Sequence, residues 1–176
     1  MRTPVIIAAA LLSVATTASP AIAAKPEPVT TPDFVELGEF CGSQITLTFI
    51  KNNLKRSFAE GESGFTERLR GNFVVEVTTS DGRSAVVRTP GLFRATGTED
   101  SVTLNSIGRT LLVLPPEDIP EAQAQRDAQR AAGLPDLALI TGRVDTVLSI
   151  NPTTGLATDA VITYTGNVTD VCDLLE

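Results

Sequence analysis

Apolar and polar residues alternate along most of this chain. In residues 44–50, Ile45, Leu47 and Phe49 share one parity, and Gln44, Thr46 and Thr48 share the other. That period of two is the mark of a half-buried antiparallel strand. Asn52-Asn53 predicts a turn, with residues 54–59 as the return strand and 60–64 as a loop. Phe73, Val75 and Val77 then alternate with Val74, Glu76 and Thr78, and Ala85-Val86-Val87-Arg88 follows Ser80-Asp81-Gly82-Arg83. Asp-Gly between two β-rich runs predicts a hairpin, because both residues tolerate positive φ. Pro90-Gly91 predicts a bend or bulge. Residues 92–95 resume an extended pattern, 97–100 read as a turn, 101–105 as a short strand and 106–108 as a second turn. Residues 109–114 form an apolar strand closed by Pro115-Pro116.

One stretch breaks the alternation. Residues 117–133 are rich in Ala, Gln and Arg, which favour helix. Asp118 and Glu121 have capping-box spacing, Pro120 falls in the first turn, Gly133 fits the C-terminal cap and Pro135 is a stop. This helix carries alanines and no bulky apolar stripe, so it is expected on the surface or lightly plugging one end of the fold. Alternation returns in the last 40 or so residues. Val144, Thr146, Leu148 and Ile150 oppose Arg143, Asp145, Val147 and Ser149. A turn at Asn151-Pro152-Thr153-Thr154-Gly155 leads to a partner strand carrying Thr158, Ala160, Ile162 and Tyr164, and then to Cys172. Short strands with turn signals every 8–12 residues predict an all-β fold. The expectation is one antiparallel β-barrel of about eight strands, lipocalin-like in outline, or a sandwich, with one short surface helix near 119–132.

The N-terminus reads differently. Arg2, the apolar run over residues 5–14 and Ala21-Ile22-Ala23 match the three parts of a secretory signal. Residues 1–24 are therefore expected to be a cleaved signal peptide, 25–33 a flexible Pro-rich lead-in, and 34–176 a single domain. No later run approaches the length that spans a bilayer as a helix. The expected location is extracellular. In that oxidising setting Cys41 and Cys172, the two cysteines of the chain, are expected to form one disulfide. Free thiols, an intermolecular bridge and metal ligation are the alternatives.

The net charge of −7 fits solubility and argues against nucleic acid or an anionic membrane as partner, because Lys and Arg form no cluster along the chain. The fold-opening Cys41-Gly42, the Asp-Gly hairpin, Gly142-Arg143, the turn ending Thr154-Gly155 and the close at residues 165–175 together resemble small exported β-barrel-like proteins of unknown function from high-GC Gram-positive bacteria. The resemblance covers most of the chain after the leader. It implies architecture only and brings no activity or catalytic residue.

Absences narrow the chemistry further. The sequence has no histidine, which removes Ser-His-Asp and Cys-His catalysis and histidine-based metal sites. A disulfide leaves no thiol nucleophile. No phosphate-cradling glycine loop and no calcium loop is present. No cofactor is expected. The remaining candidates are charges sharing a strand face with apolar residues: Arg56, Arg94, Arg143, Asp145 and Asp159, with Tyr164, the single tyrosine. Facing a cavity, they would bind a polar head group. Facing out, they are the wet side of the sheet. Three functions follow in order: a non-enzymatic exported barrel binding a small apolar or amphipathic ligand or an extracellular partner; a solidly packed structural or interaction protein of the envelope; and a carboxylate, arginine and tyrosine isomerase or cyclase working in the barrel cavity.

Overall fold

The computed structural model describes residues 25–61, 64–115, 119 and 122–176. The expected signal peptide, Pro120 and the Asp118/Glu121 capping box lie outside them. Among the described residues, nine strands form one antiparallel sheet. They are β1 (Glu27–Pro28), β2 (Phe34–Phe40), β3 (Ser43–Asn52), β4 (Lys55–Gly61), β5 (Gly64–Thr79), β6 (Ser84–Gly97), β7 (Ser101–Val113), β8 (Leu137–Ile150) and β9 (Ala157–Asp170). The all-β expectation holds.

Asn52-Asn53 does not reverse the chain. β4 pairs with the first half of β5 and β3 with the second half, both antiparallel, so β3 and β4 run on as one interrupted strand. Asn53 stays in the ladder by donating its N–H to the Asn72 carbonyl at 2.9 Å. β1 and β2 line the same ribbon from outside. The turn expected at 106–108 is also absent, since β7 passes straight through Gly108. The expected hairpins at Asp81-Gly82 and 151–156 form, and the structure adds one at Cys41-Gly42. Cys41 and Gly42 both adopt positive φ, 56° and 71°, as a two-residue type I′ hairpin requires.

A row of glycines crosses the sheet. Gly71, Gly91, Gly108, Gly142 and Gly166 sit opposite one another on five consecutive strands. A Cβ on Gly142 would lie 2.0 Å from the Thr165 carbonyl oxygen, and one on Gly166 would lie 2.1 Å from that of Thr141. Glycine is the residue that lets the backbones approach so closely. Above the row, β6 and β7 are paired, from Gly91/Gly108 to Gly97/Val102; below it they are not paired. Pro90 marks the split. Asn72 turns its carbonyl toward Asn53, so Pro90, the β6 residue opposite Asn72, turns its own backbone toward β7. Its missing N–H therefore costs no hydrogen bond there.

Below the split the two halves pack face to face. Val35, Leu37, Ile45, Leu47, Val75, Val77 and Val87 from one half meet Leu111, Leu137 and Leu139 from the other, and Val171 and Leu175 fill the gap. Helix α1 (Gln123–Ala131) covers the far face of β8 and β9, where Ala128, Ala132 and Leu134 pack on Leu112, Ala138, Ile140 and Val168. It ends in a Schellman motif: Gly133 (φ 66°) donates to the Arg130 carbonyl and Leu134 to that of Gln129. The helix buries more than alanine. Arg126 is 2% exposed and donates to the Ile119 carbonyl at 2.9 Å and to Gln123 Oε1 at 2.6 Å.

Strand pairing among the described residues does not return from β9 to β1 or β2, so the sheet is open and not a closed barrel. What joins its ends is covalent. A 3₁₀ turn (Val171–Leu174) after β9 carries Cys172 to Cys41 across 131 residues, with the Cα atoms 5.3 Å apart. Ser84 N–H also bonds the Glu176 carbonyl at 3.1 Å. No helix among the described residues is long and apolar enough to cross a membrane, which says nothing of strands.

Candidate anion-binding face

The register decides which face each charge occupies. Val75, Val77, Val87 and Ala95 are buried, so the odd positions of β5 and β6 point to the packed side. Even positions then point to the opposite, open side. Along this open side Lys55 sits directly opposite Arg70, and Arg68 directly opposite Arg94. Lys51 and Arg88 flank Val74 two rows below. Among the described residues, no carboxylate lies within ion-pair distance of these six cations. Like charges directly opposite in a sheet are unfavourable by about 0.2–1 kcal/mol.

The face continues across β7 and β8 through Asn105, Ile107, Arg143 and Asp145. Arg143 Nε meets Asp145 Oδ2 at 2.6 Å, and Asn105 donates to Asp145 Oδ1. The hydrogen bond from Arg143 holds the Asp145 carboxyl below its usual range; burial opposes this, and Asn105 adds to it. Asp145 in turn raises the Arg143 guanidinium. Where β6 and β7 part, Pro90, Ile107, Arg109, Thr141, Arg143 and Thr165 line an open groove of about 530 Å³. Arg109 Nε is buried there without a hydrogen-bond partner.

The charge bookkeeping is lopsided. The sequence holds 14 Lys and Arg, and 13 are described once Arg2 is set aside. Eight of these 13 (Lys51, Lys55, Arg68, Arg70, Arg88, Arg94, Arg109 and Arg143) belong to this one face or its groove. On strands β3 to β8 it carries two carboxylates, Glu76 and the engaged Asp145. A chain with net charge −7 thus presents a cationic face. No run of cations in the sequence shows it, because these residues come from six strands.

The six residues singled out from sequence do not form one site. Arg94 and Arg143 belong to the cationic face, and Asp145 neutralises Arg143 there. Asp159 is exposed near the top of β9, opposite Ser149, and accepts the Ala160 N–H at 2.9 Å. Arg56 lies on the other side of the sheet. Its Nε meets Glu67 Oε1 at 2.7 Å, with Glu67 4% exposed, and its guanidinium stands over Phe58 at 5.7 Å. Tyr164 shares that side, opposite Val144, and is half-exposed. A second open groove, of about 520 Å³, lies at the upper rim between Phe65, Thr96, Gly97 and Ser101, and neither groove is lined by Arg56 or Glu67.

Lys51, Lys55, Arg68, Arg70, Arg88 and Arg109 escaped the sequence reading. For Arg68, Arg70 and Arg88 the parity opposite to Val75, Val87 and Ala95 was the available signal. Lys51 has the parity of Ile45 and Leu47 and reaches this face only through the bulge between Phe49 and Lys51, so the patch needed the strand register. No group of histidine, cysteine, aspartate or glutamate fit to hold a metal occurs among the described residues. The chain matches no protein-family model, no curated protein and no solved structure.

Proposed function

We propose that this is an exported, non-enzymatic binding protein whose cationic sheet face docks a linear polyanion, a polymer bearing phosphate or carboxylate groups in or around the cell envelope. The observation that carries the reading is the pair of directly opposed like charges, Lys55/Arg70 and Arg68/Arg94, with no acid between them. Such an arrangement costs stability in the free protein. An anionic partner turns that cost into binding energy.

The shape supports a polymer. From Arg88 to Arg94 the cations extend along β6 for about 20 Å at the usual rise per residue. Four of the six are arginines, whose planar forks match phosphate and carboxylate. The acidic remainder of the molecule confines contact to this face. The signal-like N-terminus and the Cys41–Cys172 bridge support export. The small apolar ligand that a closed barrel would have held loses its support with the open sheet, and both grooves are open to solvent.

The test is titration of the protein with inorganic polyphosphate and, separately, with vesicles of anionic lipid. A variant carrying Lys55→Gln, Arg68→Gln, Arg70→Gln and Arg94→Gln accompanies the wild type. The proposal expects polyphosphate binding at low salt that the variant loses by at least about tenfold. Binding to vesicles without binding to the polymer would overturn it, as would equal binding by wild type and variant.

A further inference from the structure

We infer that the outer edge of β9 is a self-pairing interface, through which two copies of this chain join their sheets. No strand among the described residues pairs with that edge. The opposite edge of the sheet is guarded. β1 and β2 are short, are interspersed with Pro26, Pro28 and Pro32, carry Glu27 and Glu36, and include a register break between Glu36 and Gly38. These are the devices that keep edges from pairing. From Ala160 to Thr165 β9 has none of them; its own register break, at Thr158, and Asp159, its one charge above Gly166, lie toward its upper end. It reads Ala157-Thr158-Asp159-Ala160-Val161-Ile162-Thr163-Tyr164-Thr165, rich in strand formers, with no proline, no lysine and one charge. Val161 is 53% exposed.

The backbone says which groups face outward. The Thr165 carbonyl points at Gly142 on β8, so odd residues face β8 and Ala160, Ile162 and Tyr164 face away. Ala160 agrees, since its N–H is taken by the Asp159 side chain instead of by β8. Ile162 and Tyr164 have no such cap. An antiparallel pairing centred on Thr163 uses these two uncapped residues against each other and leaves the Asp159–Ala160 contact at its margin. Asp159 then opposes Asn167 of the partner subunit, and no like charges meet. The strand is complementary to itself, which is what a two-fold interface requires.

A two-fold axis normal to the sheet also puts both cationic faces on one side. With strands about 4.8 Å apart, the two patches would lie about 40 Å from each other. This consequence rests on the proposed polyanion binding, whereas the self-pairing does not. A polymer long enough to span both patches would bind the dimer with avidity.

The experiment is sedimentation velocity across a range of protein concentrations, on the wild type, Thr163→Lys, Thr163→Glu and a mixture of the two variants. The inference expects a concentration-dependent dimer for the wild type, a shift toward monomer in each variant alone, and recovery of the dimer in the mixture. Thr163→Cys provides a second readout. Both native cysteines are bridged, so its single thiol should form a covalent dimer under mild oxidation. A wild type that stays monomeric at every concentration overturns the inference, and so does a dimer indifferent to Thr163→Lys that fails to cross-link. If the chain is monomeric yet still binds polyphosphate through its cationic face, the self-pairing alone has failed.

Discussion

Gly142 illustrates how much a single position can carry. Its φ is 149° and its absent Cβ would stand 2.0 Å from a carbonyl oxygen of the neighbouring strand. Gly142→Ala therefore meets both backbone strain and a collision that rotamer choice cannot relieve. Chemical denaturation should show a loss of at least about 2–3 kcal/mol. Gly155 makes the comparison, with φ 70° but open space around it, and Gly155→Ala should cost about 1–2 kcal/mol. Equal losses would mean that the glycine row tolerates side chains.

Asp145 sets a pH dependence with a definite sign. Arg143 holds its folded-state pKa below the unfolded value of about 3.9. The contribution is thus complete above the unfolded pKa and is lost as pH falls through the folded one. Asp145→Asn should be less stable than wild type at neutral pH, and the gap should close in acid. A gap that persists unchanged at the lowest pH would assign the loss to packing or to Asn105. The opposed cations give the reverse kind of prediction. Arg68→Gln should leave stability unchanged or raise it by about 0.2–1 kcal/mol, while weakening polyanion binding. A residue kept for folding would lose stability instead.

Among the elements, the sequence made clear those whose signals are local. Asp81-Gly82 and the 151–156 turn appear as hairpins because the turn residues specify their own backbone. Gly133 ends the helix as expected. Asn52-Asn53 and Ser106-Ile107-Gly108 misled because each carries turn-like residues at a place where the sheet bends without reversing. Both fall at the glycine row, and only the alignment of Gly71, Gly91, Gly108, Gly142 and Gly166 across strands explains them. Burial of Arg126 under the helix was equally invisible, since an arginine in a polar helix reads as solvated. The Cys41–Cys172 link was legible from the pair of cysteines taken together with the signal-like N-terminus. It closes a loop of 131 residues, worth about 4–5 kcal/mol on the chain-entropy model. Denaturation of the Cys41→Ala, Cys172→Ala chain should show a loss of that order. A negligible loss would mean that the C-terminal segment docks on its own packing.

For the whole molecule, the linear sequence hid the charge distribution. Its net charge of −7 and scattered lysines and arginines describe an acidic protein with no reason to meet a polyanion. The meander of strands gathers eight cations onto one side, and that pattern depends on register, which no single strand encodes. The open sheet matters for the same reason. Without a closed interior, the surfaces left for a partner are the faces and edges of the sheet. The most direct test of this account is the salt dependence of polyphosphate binding, compared between wild type and the Arg68→Gln, Arg94→Gln variant. On the single-strand coefficient, engaging six to eight cations predicts a slope of about −4 to −6 in log K against log salt, and removing two should make it shallower by about 1.4. A slope and an affinity that do not change between the two proteins, or no binding at low salt, would contradict it.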